Sequence, residues 1–309
     1  MWLDIIIIVL GVAMVLKGAD FLTEGAAALA RRVNIPEIVI GLTIVAAGTS
    51  APELFVSLVS ALKGTPDLAV GNVVGSNTMN CMLIVGCAAI VAPMTISRST
   101  VKKDIPFAVG ASVLLMLLAL NNFLGRFDGI LLLMGFALFM VYSLRQAKNG
   151  QGDTPTVEKQ RNPWLSALFI VLGLVGLVIG SNLFVDHASN LALSLGISEG
   201  VVGLTVVAGG TSLPELATSV VAARKGQSAI AIGNVIGSNV FNILLILGIT
   251  ATISPLQIEG ITTIDMAVML ISVALVWLFS RTRYTVERWE GALLVGLYLV
   301  YLGWLITSL

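Results

Sequence analysis

GTSAPE (residues 48–53) and GNVVGSN (residues 71–77) recur in this chain as GTSLPE (residues 210–215) and GNVIGSN (residues 233–239). Both recurrences have an offset of 162 positions, and the surrounding segments share 27 of 46 aligned residues without an insertion. Each motif places glycine, hydroxyl and amide side chains inside an apolar run, and the first adds a proline and a glutamate. Such groups are costly inside a membrane, so their duplication indicates one binding site made from two halves.

The composition is that of a membrane protein. The 309 residues are 57% hydrophobic and 11% charged, and the mean hydropathy is +0.99. A helix needs about 20 apolar residues to cross a bilayer. Ten runs of this kind are predicted as spans, at residues 3–30, 37–62, 67–92, 105–122, 127–146, 163–193, 199–223, 229–252, 262–280 and 287–307.

The basic residues predict the orientation of these spans. If ten helices cross the membrane, one set of loops holds 14 of the 17 Lys and Arg residues, and the other set holds only Lys63 and Arg126. Basic loops stay on the cytosolic side. We therefore expect a multi-pass protein of the cell (inner) membrane with both termini outside. The zero net charge gives no reason to expect a nucleic-acid partner.

The repeat divides the chain into residues 1–146, a polar cytosolic linker at 147–162, and residues 163–309. Because five is an odd number of spans, the second unit enters the membrane from the opposite face. The predicted fold is therefore an all-α polytopic membrane protein of ten transmembrane helices, arranged as two inverted five-helix repeats. Inverted repeats with a site near the midplane are a common plan of transporters.

The motifs also predict interruptions in helices 2, 3, 7 and 8. Ser50-x-x-Glu53 and Ser212-x-x-Glu215 have the form of a capping box, and a proline in the first turn suits a helix that restarts there. We expect breaks near Ala46–Gly48 and at the equivalent Ala208–Gly210, which would free backbone carbonyls. If the capping box held each glutamate, however, its role would be local and structural.

The oxygen atoms of these motifs define a class of ligand. Glu53 and Glu215 provide carboxylates, and helical spacing places Ser76 with Asn80 on one face, as it places Ser238 with Asn242. Carboxylate, hydroxyl, amide and carbonyl oxygens suit Na⁺, Ca²⁺ or Mg²⁺. Two ionised glutamates are neutralised by one Ca²⁺ or by two Na⁺, and the flexible set favours Ca²⁺ over Mg²⁺.

The paired motifs resemble the α-repeats of the Na⁺/Ca²⁺ exchangers, in the cation/Ca²⁺ antiporter superfamily, and the resemblance covers essentially the whole chain. It implies an electrogenic antiporter that works by alternating access, with Na⁺ and Ca²⁺ as transported ions and no cofactor. By position, it implies that Glu53 and Glu215 are shared Ca²⁺ ligands. It further implies that six hydroxyls supply oxygens to Na⁺ or Ca²⁺, namely those of Thr49, Ser50, Ser76, Thr211, Ser212 and Ser238. The main-chain carbonyls of Ala46 and Ala208 are implied as additional ligands.

One position departs from many relatives, in which Asp stands at the place of Asn242. Asn80 and Asn242 make this chain symmetric there, so we expect exchange that does not depend on K⁺. A proton-coupled or K⁺-dependent cation antiporter remains an alternative, and a cation channel is a more distant one. We do not expect an enzyme, because the chain has no HExxH motif and only one histidine. No obligatory protein partner is implied beyond the lipid bilayer.

Overall fold

The computed structural model describes residues 2–33, 35–148, 163–195 and 208–308. Within these ranges the chain is mostly helical, and we number helices in chain order across their π-helical and 3₁₀-helical turns. They are α1 (Trp2–Val33), α2 (Glu37–Thr49), α3 (Ala51–Leu62), α4 (Pro66–Val91), α5 (Thr100–Asn121), α6 (Arg126–Lys148), α7 (Pro163–Ser194), α8 (Ala208–Thr211), α9 (Leu213–Arg224), α10 (Ser228–Ile253), α11 (Thr263–Arg281) and α12 (Arg288–Ser308).

The helices agree with the predicted spans wherever the chain is described. Eight helices are long and apolar enough to cross a membrane, and α2 with α3 forms a ninth candidate as a bent pair. The predicted seventh span begins in residues 196–207, outside the described residues, and α8 and α9 form its remainder. Most of the predicted linker, residues 149–162, also lies outside the described residues. A count of ten spans and the boundaries of the two units therefore remain predictions.

The second span bends at Ser50, where the axes of α2 and α3 differ by 46°. Pro52 lies in the first turn of α3 and has no N–H to donate to the carbonyl of Gly48. The prediction of a break near Ala46–Gly48 is wrong by a few residues, because the Ala46 carbonyl still accepts the Ser50 N–H at 3.0 Å. The same interruption separates α8 from α9 at Ser212.

The predicted breaks in helices 3 and 8 are absent from α4 and α10, each of which is one continuous helix. Each instead contains a π-helical segment, at Asn80–Ile84 in α4 and at Phe241–Ile246 in α10. A π-helical turn widens the helix without ending it, and such turns occur often at functional sites. The second motif is therefore presented from an unbroken helix.

Helices α4 and α10 form the centre of the molecule. In the most apolar window of α10, 94% of the residues are buried, against 17% in α12 at the periphery. Small residues permit this central position, since a Cβ atom at Gly233 would lie 2.9 Å from the carbonyl oxygen of Ile38. A Cβ atom at Gly237 would likewise lie 2.7 Å from the carbonyl oxygen of Leu42. These glycines therefore allow α2 to pack directly on α10, as small-xxx-small patterns do in membranes.

Helices α1 and α7 occupy equivalent positions in the repeat and pack against each other along a glycine seam. We define the seam as Gly11, Gly18 and Gly25 of α1 with Gly173 and Gly180 of α7. Cβ atoms at Gly11 and Gly18 would lie 2.8 Å from the carbonyl oxygens of Gly180 and Gly173, respectively. Residue numbers rise along one helix as they fall along the other, so the two helices run antiparallel, as an inverted repeat requires.

A valine at Gly18 is expected to destabilise the folded protein, because its Cβ would also meet the Leu177 backbone nitrogen at 2.8 Å. Overpacking of this kind costs about 1–3 kcal/mol. The thermal unfolding temperature of the purified protein in detergent measures the effect. Gly176→Ala is the matched control, because its Cβ would meet no atom closer than the Cα of Gly18, at 3.4 Å. An equal loss in both variants would contradict this description of the seam.

Two short antiparallel strand pairs join the halves, and neither was predicted from the sequence. Strand β1 (Met94–Thr95) pairs with β4 (Thr285–Val286), and β2 (Phe123–Leu124) pairs with β3 (Leu256–Gln257). Addition of 162 to Met94 and Leu124 gives Leu256 and Val286, so the two strand pairs are equivalent under the repeat. Each pair joins a strand of the first half to a strand of the second.

Candidate functional site

Two buried glutamates lie at the restart of the interrupted helices. Glu53 is in the first turn of α3 and Glu215 is in the first turn of α9. Their exposed fractions are 0% and 1%. The bend at Ser50 and the interruption at Ser212 turn these first helical turns into the interior, where the two carboxylates are close enough to interact electrostatically.

Each carboxylate accepts a hydrogen bond from a serine of the opposite half. The Ser50 hydroxyl donates to Glu215 Oε1 at 2.9 Å, and the Ser212 hydroxyl donates to Glu53 Oε1 at 3.2 Å. The capping-box prediction is wrong, because neither serine side chain caps its own helix. The S-x-x-E spacing instead produces a reciprocal exchange across the repeat, and both halves are needed to surround either carboxylate.

The other predicted hydroxyls gather around these two carboxylates. The Ser76 and Ser212 hydroxyl oxygens lie 3.2 Å apart, so Ser76 can donate to Ser212 while Ser212 donates to Glu53, and Thr211 lies beside Glu53. Thr49 and Ser238 lie beside Glu215. The structure therefore brings together all six hydroxyl side chains that the sequence singled out.

The second oxygen of each carboxylate has no hydrogen-bond donor in the described part of the chain. Both Glu53 Oε2 and Glu215 Oε2 are buried without a partner. Neither glutamate forms an ion pair with a Lys, Arg or His among the described residues. A buried carboxylate without a compensating charge is strongly unfavourable, so the pair forms a candidate site for cations.

Four asparagines connect the two second motifs. Asn80 Nδ2 donates to Asn239 Oδ1 at 3.0 Å, and Asn242 Nδ2 donates to Asn77 Oδ1 at 3.0 Å. These bonds occupy the nitrogens of Asn80 and Asn242, and their Oδ1 atoms stay buried without a donor among the described residues. The two predicted amides are thus oriented by Asn77 and Asn239, which the sequence motifs contained but to which we assigned no role.

Asn72 and Asn234 of the second motifs also belong to the site, although neither was predicted as a site residue. Asn72 Nδ2 donates to the Glu53 carbonyl at 3.2 Å and to the Ser57 hydroxyl at 2.9 Å. Asn234 Nδ2 makes the equivalent bonds to the Glu215 carbonyl and to Ser219, at 3.3 and 3.0 Å. Each asparagine therefore fixes the backbone of a glutamate from the neighbouring helix. Their repetition in both second motifs was the signal that could have identified them.

The main-chain carbonyls of Ala46 and Ala208 were also predicted as ligands. The Ala46 carbonyl accepts the Ser50 N–H at 3.0 Å, so the bend does not free it from its helix. The Thr49 hydroxyl lies 3.3 Å from the same carbonyl, but its single proton has a closer acceptor in Asn234 Oδ1 at 3.0 Å. Ala208 is the first residue of α8. The Ala46 carbonyl therefore keeps its helical hydrogen bond and has a second lone pair that this bond does not use.

A cavity of about 340 Å³ leads to this region from one side. It lies between α3 and α7 and reaches Gly210 and Thr211 at the end of α8. Its walls are mostly apolar, with polar groups at Ser181, Asn182 and Thr211. On the other side of the site, α1 packs along α9.

The donor set agrees with hard cations. In the described ranges no three His, Cys, Asp or Glu side chains group as a metal site. The other candidate donors beside the two carboxylates are hydroxyl and amide oxygens. Such oxygens suit alkali and alkaline-earth cations, and the two carboxylates match a total charge of +2.

Several known proteins are similar to this chain over nearly its whole length. A family model described as "Sodium/calcium exchanger protein" matches residues 3–145 and 165–307. The chain is 38% identical to the inner membrane protein YrbG of Escherichia coli (strain K12), with coverage of 97% of this chain and 95% of YrbG. It is 33% identical to the sodium/calcium exchanger MaX1 of Methanosarcina acetivorans over 97% of both chains. A solved structure of the sodium-calcium exchanger NCX_Mj matches with a TM-score of 0.86 at 32% identity, over 98% of this chain and 99% of that one.

Proposed function

Because the chain belongs to the sodium/calcium exchanger family, whose members are membrane transporters and not enzymes, we propose that it exchanges Na⁺ for Ca²⁺. The observation that carries this proposal is the pair of buried carboxylates, each with one oxygen that receives no donor from the described residues. Two ionised glutamates attract one Ca²⁺ or two Na⁺, and competition for the same charge couples the two ions.

Each predicted side chain has a defined role in this proposal. Glu53 and Glu215 bind Ca²⁺ together from opposite sides of the repeat. Ser50 and Ser212 hold these carboxylates in place and share hydroxyl oxygens with the transported ions. The remaining oxygens are supplied by the hydroxyls, amides and main-chain carbonyls of Thr49, Ser76, Asn80, Thr211, Ser238, Asn242, Ala46 and Ala208.

The geometry supports alternating access to the site. The cavity between α3 and α7 gives a path from one side, and the packing of α1 on α9 closes the equivalent place on the other. In an inverted repeat, the second conformation exchanges these two arrangements. The antiparallel pair α1 and α7 would then move relative to α3, α4, α9 and α10, which hold the candidate ligands.

We also propose that both termini lie outside the cell and that the linker lies inside. The expected result follows from the loops, which carry 14 basic residues on one side and two on the other. A reporter fused after Leu309 should be active outside, and a reporter inserted near Gly152 should be active inside. The opposite labelling of both reporters would invert this orientation.

Transport in purified proteoliposomes tests the function. Vesicles loaded with Na⁺ and diluted into Na⁺-free medium should accumulate radioactive Ca²⁺, and vesicles with equal Na⁺ on both sides should not. A pH gradient of the same direction, without a Na⁺ gradient, provides the matched control for proton coupling. Uptake driven by the pH gradient alone would replace Na⁺ by H⁺ in the proposal, and uptake that requires neither gradient would indicate a channel.

A further inference from the structure

Lys225 connects the end of α9 to α1 on one side of the site. This residue follows α9, and its Nζ forms an ion pair with Asp20 Oδ1 of α1. The same Nζ donates to the Asp20 carbonyl at 3.0 Å and to the Thr23 hydroxyl at 3.3 Å. One ammonium group therefore holds a full turn of α1 against the end of α9.

The repeat lacks this connection on the other side. The positions equivalent to Asp20 and Thr23 are Asn182 and Val185 in α7, and the position equivalent to Lys225 is Lys63 after α3. The lysine is thus retained. An uncharged amide, Asn182, stands in place of the Asp20 carboxylate, and an aliphatic side chain, Val185, stands in place of the Thr23 hydroxyl. Asn182 lines the cavity that separates α7 from α3.

We propose that Asp20 and Lys225 form a one-sided latch that favours the conformation in which α1 is closed on α9. The inference rests on the alternating access proposed above. In the opposite conformation α1 leaves α9 and α7 closes on α3, so the Asp20–Lys225 pair breaks. The equivalent pair does not form in return, because Asn182 cannot make an ion pair with Lys63.

The effect of the latch is moderate, because the side chains of Lys225 and Asp20 are 30% and 37% exposed. Ion pairs of this exposure shift an equilibrium by about two- to fivefold. Salt screens such pairs, so the shift should shrink at high ionic strength. A conformational bias of this size is large enough to set which side of an empty carrier is open for most of the time.

The repeat provides a matched pair of variants for the test. Asp20→Asn gives α1 the residue that α7 has, and Asn182→Asp gives α7 the residue that α1 has. Amide hydrogen exchange of the purified protein, in detergent and without Ca²⁺, reports both sides at once. Asp20→Asn should raise exchange in α9 about two- to fivefold and lower exchange in α3, and Asn182→Asp should lower exchange in α3.

High choline chloride should reproduce the effect of Asp20→Asn in the unsubstituted protein, which tests the latch even if that variant folds poorly. Unchanged exchange in α9 would overturn the proposal. Faster exchange in α9 without slower exchange in α3 would also overturn it, since the pair would then be only a local stabilising contact. If exchange rises in α9 and falls in α3 but the protein shows no Na⁺-driven Ca²⁺ uptake, the latch is retained and Na⁺/Ca²⁺ exchange is rejected. The two proposals can therefore fail separately.

Discussion

Replacement of Glu53 or of Glu215 by glutamine is expected to reduce Ca²⁺ transport to background. Each substitution removes half of the negative charge from a buried site in which the described residues provide no other compensation. Removal of one partner from a buried charge pair costs about 3–5 kcal/mol. Since about 1.4 kcal/mol corresponds to a tenfold change, the affinity for Ca²⁺ should fall by more than about 100-fold.

The fold should survive these substitutions, because a glutamine oxygen can still accept the hydroxyl of Ser212 or Ser50. Size-exclusion chromatography and thermal unfolding check this point beside the uptake of radioactive Ca²⁺. Glu37→Gln is the matched control, because Glu37 pairs with Arg31 at 3.4 Å and is partly exposed outside the site. Uptake at the level of the unsubstituted protein in either Glu53→Gln or Glu215→Gln would remove these residues from the site.

Na⁺-driven Ca²⁺ movement is expected to depend on the membrane potential and to proceed without K⁺. Asn80 and Asn242 carry amides, which do not titrate, so the site charge stays near −2 in both halves of the cycle. Exchange of more than two Na⁺ for each Ca²⁺ must then move net charge. Moving one net charge against ~100 mV costs ~2.3 kcal/mol. An opposing potential of that size should therefore slow or reverse exchange, and it should change the Ca²⁺ gradient reached at equilibrium about 50-fold.

Proteoliposomes with valinomycin and set K⁺ gradients measure the voltage dependence. Parallel vesicles without the ionophore, with choline in place of K⁺, isolate any requirement for K⁺. Asn242→Asp is the informative variant, because it adds a third carboxylate and should make flux sensitive to pH or to K⁺. A strict requirement for K⁺ in the unsubstituted protein, or flux that is indifferent to voltage, would contradict the role given to the two asparagines.

The residues of the candidate site could be predicted from the sequence, but their hydrogen-bond partners could not. Duplication of the two motifs was enough to single out Glu53, Glu215 and the hydroxyls that gather around them. The local S-x-x-E pattern suggested a capping box, but the tertiary fold gave the hydroxyl of Ser50 to Glu215. A pattern within one helix cannot show that the equivalent residue of the other half is the closer acceptor.

The fold departs from expectation where backbone detail decides the outcome. Glycines and polar residues suggested breaks in helices 3 and 8, but π-helical turns keep α4 and α10 continuous. Hydrophobic periodicity distinguishes a span from a loop and does not distinguish a break from a widened turn. Strands of two residues, such as Met94–Thr95, are likewise too short to produce an alternating pattern.

The exchange of serine hydroxyls between the halves has a consequence for how such a chain could arise. Glu53 is bonded by Ser212 and Glu215 by Ser50, so a single five-helix unit would leave its own glutamate without that donor. Two copies of an ancestral half-length protein, inserted in opposite orientations, would restore both bonds and form a symmetric homodimer. Fusion of two such copies would release each half from identity, so that differences such as Asp20 against Asn182 could arise only after the fusion.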